Sequence, residues 1–89
     1  MKCISIQVKG KVQGVFFRAS TKTKADELGV KGFVKNEGDG SVYIEAEGNE
    51  STLQQFIEWC NHGPKSARVY EIDIHEKEFT GFTDFSVHR

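Results

Sequence analysis

The chain has 89 residues, a net charge of -1 and a sequence pI near 6.3, which fits one domain over residues 1–89 burying roughly 60 to 65 percent of the unfolded chain's surface. That balance excludes a basic field for nucleic acid and a polybasic patch for an anionic membrane, so any anion site has to be local. No apolar run reaches signal or membrane length, and Met1-Lys2 leads straight into strand-like sequence, so a soluble cytoplasmic protein is expected.

From Lys2 to Lys9, Ile4, Ile6 and Val8 alternate with Cys3, Ser5, Gln7 and Lys9, the period-two pattern of a half-buried strand. After a loop, Phe17, Thr21, Ala25 and Leu28 recur at helical spacing, and Gly29 is placed to end a helix that starts at residue 17 or 18. Val30–Glu37 and Ser41–Glu47 read as two antiparallel strands joined by the turn Gly38-Asp39-Gly40. In the second of these, Val42, Ile44 and Ala46 should face the core, and Tyr43, Glu45 and Glu47 should face out. Residues 48–51 offer helix caps. Leu53, Phe56, Ile57 and Cys60 then mark a second amphipathic helix, which must stop before Gly63-Pro64 because proline cannot continue it. Tyr70, Ile72 and Ile74 alternate with Glu71, Asp73 and His75 in a fourth strand. Glu76–Gly81 is expected to be the most mobile loop, and Thr83, Phe85 and Val87 mark a short last strand. The order predicts an α+β, ferredoxin-like βαββαβ sandwich, an antiparallel sheet with two helices on one face plus a short C-terminal strand.

The stretch Gly10-Lys-Val-Gln-Gly-Val-Phe-Phe-Arg18 carries the chemistry. Two glycines follow a strand and an arginine enters the first helical turn, the layout of a cradle in which backbone N–H groups and the positive end of a helix hold an anion. Arg18 adds a planar fork that takes two oxygens at once. The spacing matches neither a Walker loop nor a dinucleotide fingerprint. Six positions before Arg18 stands Val12, not the cysteine of a cysteinyl-phosphate enzyme. Any attack on a bound phosphoryl group must therefore come from water or from elsewhere in the chain. Counting by twos from Val34 puts Asn36 on the helix-covered face, beside the Arg18 junction, where an amide needs partners.

Gly10-x-Val12-Gln13-Gly14-Val15-x-Phe17-Arg18 resembles the signature of the acylphosphatase family. Gly32-x-Val34-x-Asn36-x-x-Asp39-Gly40-x-Val42 and Gly63-Pro64-x-x-Ala67-x-Val69 resemble two further stretches of that family. The resemblance implies hydrolysis of the carboxyl-phosphate bond of acyl phosphates. It places the phosphate on the backbone of Gln13, Gly14, Val15, Phe16 and Phe17 and on Arg18, with the attacking water on Asn36. It also implies that the phosphate itself takes the water's proton, in keeping with the lack of a carboxylate or histidine positioned as a base.

His62, His75 and His88 have no ligand spacing among themselves and read as solvated. No metal or other cofactor is expected. Cys3 and Cys60 read as reduced thiols, and Trp59 and Tyr70 as packing aromatics. The expected partner is a small-molecule acyl phosphate, with no nucleic acid and no membrane, and the expected state is a monomer. Two rivals remain. One is a non-catalytic domain that binds an acyl or carbamoyl phosphate within a larger enzyme. The other is an RNA-binding module, because Lys31-Gly32-Phe33-Val34 resembles part of an RNA-recognition motif, although it falls on the wrong strand and Glu45 and Glu47 give that face the wrong charge.

Overall fold

Alternation in the sequence becomes sheet in a computed structural model that describes residues 1–89. The elements run β1 (Lys2–Lys11), α1 (Phe17–Leu28), β2 (Lys31–Asn36), β3 (Val42–Gly48), α2 (Glu50–Cys60), β4 (Arg68–Lys77) and β5 (Phe85–Val87). The strand order is β4-β1-β3-β2-β5. The first four strands pair antiparallel, and β5 lies parallel to β2, from Gly32 opposite Phe85 to Val34 opposite Val87. The ferredoxin-like α+β reading therefore holds, with the refinement that the last strand makes the sheet mixed. β1 also runs two residues past its expected end at Lys9, through a register shift between Lys9 and Gly10 that keeps it paired with β4 up to the loop.

Ile4, Ile6, Val8, Val34, Val42 and Ile44 form the inner sheet face, and Phe17, Ala25, Leu53, Phe56 and Cys60 close it from the helices. Phe17 and Phe56 are among the largest fully buried side chains, each worth about 1.5–3 kcal/mol relative to exposure. Gly29 ends α1 in the left-handed conformation, as its position predicted.

Three expectations need correction. Glu47 points to the outer face of the sheet, yet it is only 1% exposed. Its carboxylate accepts hydrogen bonds from the backbone N–H groups of Thr80, Gly81 (3.0 Å) and Phe82 (2.9 Å). Burial alone would push its pKa up, but those N–H donors outweigh it and hold the carboxyl below the usual range. The same bonds tie down the end of the segment read as mobile. Tyr70 is not a packing aromatic but 79% exposed, because it is the extra residue where Lys9 pairs with Glu71 and Gly10 with Val69, so that Val69 packs against the core in its place. Cys3 and Cys60 are both buried free thiols, Cys3 beside Glu47 on the outer face and Cys60 in the core under the helices.

Candidate active site

Between β1 and α1 the chain anchors itself by alternate residues. Val12, Val15 and Phe17 are buried, and Gly14 and Phe16 between them turn outward. Gly14 has φ 73° and Phe16 φ 64°, with no positive φ at Val15. This alternation of backbone handedness makes successive N–H groups converge on one point. Glycine reaches such a φ freely, but at Phe16, the only non-glycine residue with positive φ, the conformation costs about 1–2 kcal/mol. The backbone N–H groups of Gln13, Gly14, Val15 and Phe16 donate to no other group of the protein.

The loop runs directly into α1, whose N-terminus is open. Its N-cap, Phe16, makes no side-chain capping bond and its first turn holds no acidic residue. The first helical bond runs from the Ser20 N–H to the Phe16 carbonyl at 3.0 Å, so the N–H groups of Phe17, Arg18 and Ala19 are left without intrahelical partners. Cradle and helix end thus form one continuous row of free donors at the positive end of the helix dipole.

Two braces hold this row against the sheet. The side-chain amide of Gln13 donates to the carbonyls of Glu37 and Ser41, both at 2.8 Å, across the β2–β3 turn. The turn itself is built by Asp39, which accepts from the Ser41 N–H (2.9 Å) and hydroxyl (2.6 Å), bonds that lower its pKa. At the other end Arg18 Nη1 donates to the His88 carbonyl at 2.7 Å, and the His88 N–H in turn donates to the Val34 carbonyl at 2.8 Å. Arg18 takes part in none of the ion pairs of the chain, so its remaining donors face outward without a carboxylate. Asn36 falls on β2 between the two braces, and its Oδ1 is buried without a hydrogen-bond partner. A buried amide oxygen left unpaired is uncommon and calls for an explanation.

Support comes from behind as well. The Phe17 ring packs against Trp59 at 5.6 Å, and a Cβ at Gly63 (φ 68°) would approach that ring to 2.5 Å. Glycine at this position therefore lets the end of α2 pass close behind the start of α1. The Ser66 hydroxyl donates to the Val15 carbonyl at 3.1 Å. In front, an open depression of about 340 Å³ is lined by Gly14, Phe16, Arg18, Ala19 and Val87. A second groove, lined by Ser20, Thr23, Lys24, Glu27, Trp59 and Pro64, runs between the helices and contains none of the loop residues 13–17. No group of three His, Cys, Asp or Glu side chains comes together as a metal site.

The residues singled out in the sequence thus share one corner of the fold, Gln13 to Phe17 as the loop, Arg18 at its exit and Asn36 on the neighbouring strand. The Gln13 side chain as a brace, and the His88 carbonyl as the seat of Arg18, were not foreseen. The hairpin turn gave a signal for the first, whereas a backbone carbonyl gives none for the second. His88 is also not simply solvated, because its ring stacks on Phe33 at 4.8 Å.

Comparison with known proteins adds four findings. The acylphosphatase family model matches residues 4–87. An acylphosphatase of Methylococcus capsulatus is 46% identical over 90 residues, covering 100% of this chain and 98% of that protein. The crystal structure of acylphosphatase from Bacillus subtilis superposes with TM-score 0.97 at 39% identity, covering 100% of both chains. The structure of T. kodakarensis HypF matches with TM-score 0.87 at 35% identity, over 100% of this chain but 12% of that one.

Proposed function

The chain belongs to the acylphosphatase family, and from that premise we propose how its residues carry out the family's reaction. The protein hydrolyses acyl phosphates. In our reading the phosphate oxygens sit on the free N–H groups of Gln13 to Phe17, and Arg18 clamps them from the side. Asn36, on the neighbouring strand, orients the attacking water with its side-chain amide. The observation that carries this reading is the continuous row of unpaired donors formed by the loop and the uncapped end of α1.

The water oxygen bonds to phosphorus as the bond to the acyl oxygen breaks, and the carboxylate leaves with the electron pair. One water proton passes to a phosphate oxygen, giving dihydrogen phosphate. A carboxyl-phosphate is a mixed anhydride with a good leaving group. Donors already fixed where charge develops, and a water already aligned, can then supply the catalysis without a strong protein base. The cost of bringing those donors together is met during folding, by Val12, Val15 and Phe17 in the core and by the Gln13 brace.

The same reading makes the protein metal-independent, because the backbone and Arg18 supply the positive charge that a cation would otherwise bring. We further propose a cytoplasmic monomer acting on a small molecule, in keeping with two free buried thiols. An RNA-binding role is disfavoured. The face of Phe33 that a base would stack on is taken by His88 at 4.8 Å, and Phe82 meets the ring edge-on at 5.8 Å. Phosphate release from acetyl phosphate, with and without exhaustive chelation, tests the proposal. Equal rates are expected, and loss of hydrolysis on chelation with recovery on adding one divalent ion would refute it.

A further inference from the structure

Phe16 is the most conspicuous side chain that the phosphate chemistry leaves unused. It is 79% exposed and holds a backbone conformation that glycine would hold without strain. A non-glycine residue held at positive φ beside a binding loop is the kind of local strain that clusters at functional sites. Val87, on the last strand, is 42% exposed. The two line one depression together with Gly14 and Arg18, so an apolar surface begins where the phosphate cradle ends.

We propose that Phe16 and Val87 form the seat of the substrate's acyl group, and that they select acyl phosphates with an apolar, ring-sized or branched acyl group over those with a small one. The proposal rests on the phosphate-site reading above. In an in-line displacement the leaving group stands on the far side of phosphorus from the attacking water. Asn36 does not line the depression that Phe16 and Val87 share, so a leaving group directed away from Asn36 comes to rest over those two side chains. The ring of Phe16 is fixed to the loop by its own backbone, so an acyl group lying on it stays in register with the phosphate held by the adjacent N–H groups. Contact with the acyl group close to the reacting centre can then contribute to the transition state as well as to binding.

The test compares kcat/KM for benzoyl phosphate and acetyl phosphate in wild type, Phe16→Asn and Val87→Ser. Asparagine tolerates the left-handed conformation and so preserves the course of the loop. The intrinsic reactivities of the two compounds cancel when a variant's ratio is divided by the wild-type ratio, and partial unfolding cancels as well, since both substrates meet the same folded fraction. The benzoyl-to-acetyl ratio is expected to fall about tenfold in Phe16→Asn, the scale of one lost aromatic contact, and about threefold in Val87→Ser. A Phe16→Asn ratio equal to the wild-type ratio overturns the proposal, while continued hydrolysis of acetyl phosphate leaves the phosphate-site reading standing. If the wild-type protein hydrolyses neither compound, that reading fails and this one fails with it.

Discussion

The two helices of this chain begin in opposite ways. At α2, Asn49 accepts from the Thr52 N–H at 2.8 Å and Glu50 supplies an acid in the first turn, so one free donor is capped and the dipole is answered within the helix. At α1 the N-cap is a left-handed phenylalanine without a capping bond, the first turn holds no acid, and an arginine sits at its second position. An arginine there is unfavourable with the dipole by a few tenths to about 1 kcal/mol. The core contributes large buried aromatics close to both helices. What separates the two beginnings is that α2 carries its own cap and its own acid, whereas α1 has neither and is left open to an anion.

Removing the charge at the open end should have the largest effect. Arg18→Ala is expected to lose roughly 2.7–4 kcal/mol of transition-state stabilisation, the scale of one preorganised donor, as measured by kcat/KM with acetyl phosphate. Arg18→Lys should recover little of it, because an ammonium keeps the charge but loses the planar fork and the seat on the His88 carbonyl. Near-normal kinetics in the lysine variant would mean that only charge matters at this end.

Asn36→Ala comes next, with turnover expected to fall roughly a hundredfold as the water loses its alignment. Inhibition by inorganic phosphate should survive, because the loop and Arg18 are untouched. The structure sharpens this test. Alanine removes a buried oxygen that has no partner, so the melting temperature should hold or rise. Unchanged turnover with a lowered melting temperature would make Asn36 a structural residue only.

The smallest effects should separate the two ends most cleanly. Asn49→Ala is expected to cost about 1 kcal/mol of stability, read by chemical denaturation, with kcat unaltered. Ala19→Glu places in the first turn of α1 the acid that α2 already has. It should add about 0.3–1 kcal/mol of stability at low salt and weaken phosphate inhibition. If both variants changed stability alone, the two helix ends would be functionally alike.

Much of this contrast was legible in the sequence, and the parts that were not share a cause. Periodicity and caps carry local information, so α1, α2 and the β2–β3 hairpin appear where spacing put them, and parity placed Asn36 correctly because Val34 beside it is plainly a core residue. Parity failed at Glu47, where the alternation is obeyed but the outer face is covered by a segment more than thirty residues away that donates three N–H groups to the carboxylate. It failed in the other direction at Tyr70, which a register shift against β1 turns out of the alternation, and at Ile74, which stays 40% exposed on an edge strand. Burial depends on what packs above a strand, which alternation along the strand does not encode. The Arg18 seat was hidden for a similar reason, since the His88 carbonyl is brought to it only by the parallel pairing of β5 with β2.

The most direct test of an anion-completed helix end is an amide NMR titration of the folded protein with inorganic phosphate. The N–H resonances of Gln13 to Ala19 should shift together and saturate along one binding curve, while those of Glu50 to Thr52 at the start of α2 stay in place. Saturable shifts centred on α2, or none in the loop up to the phosphate concentration that inhibits hydrolysis, would contradict the account.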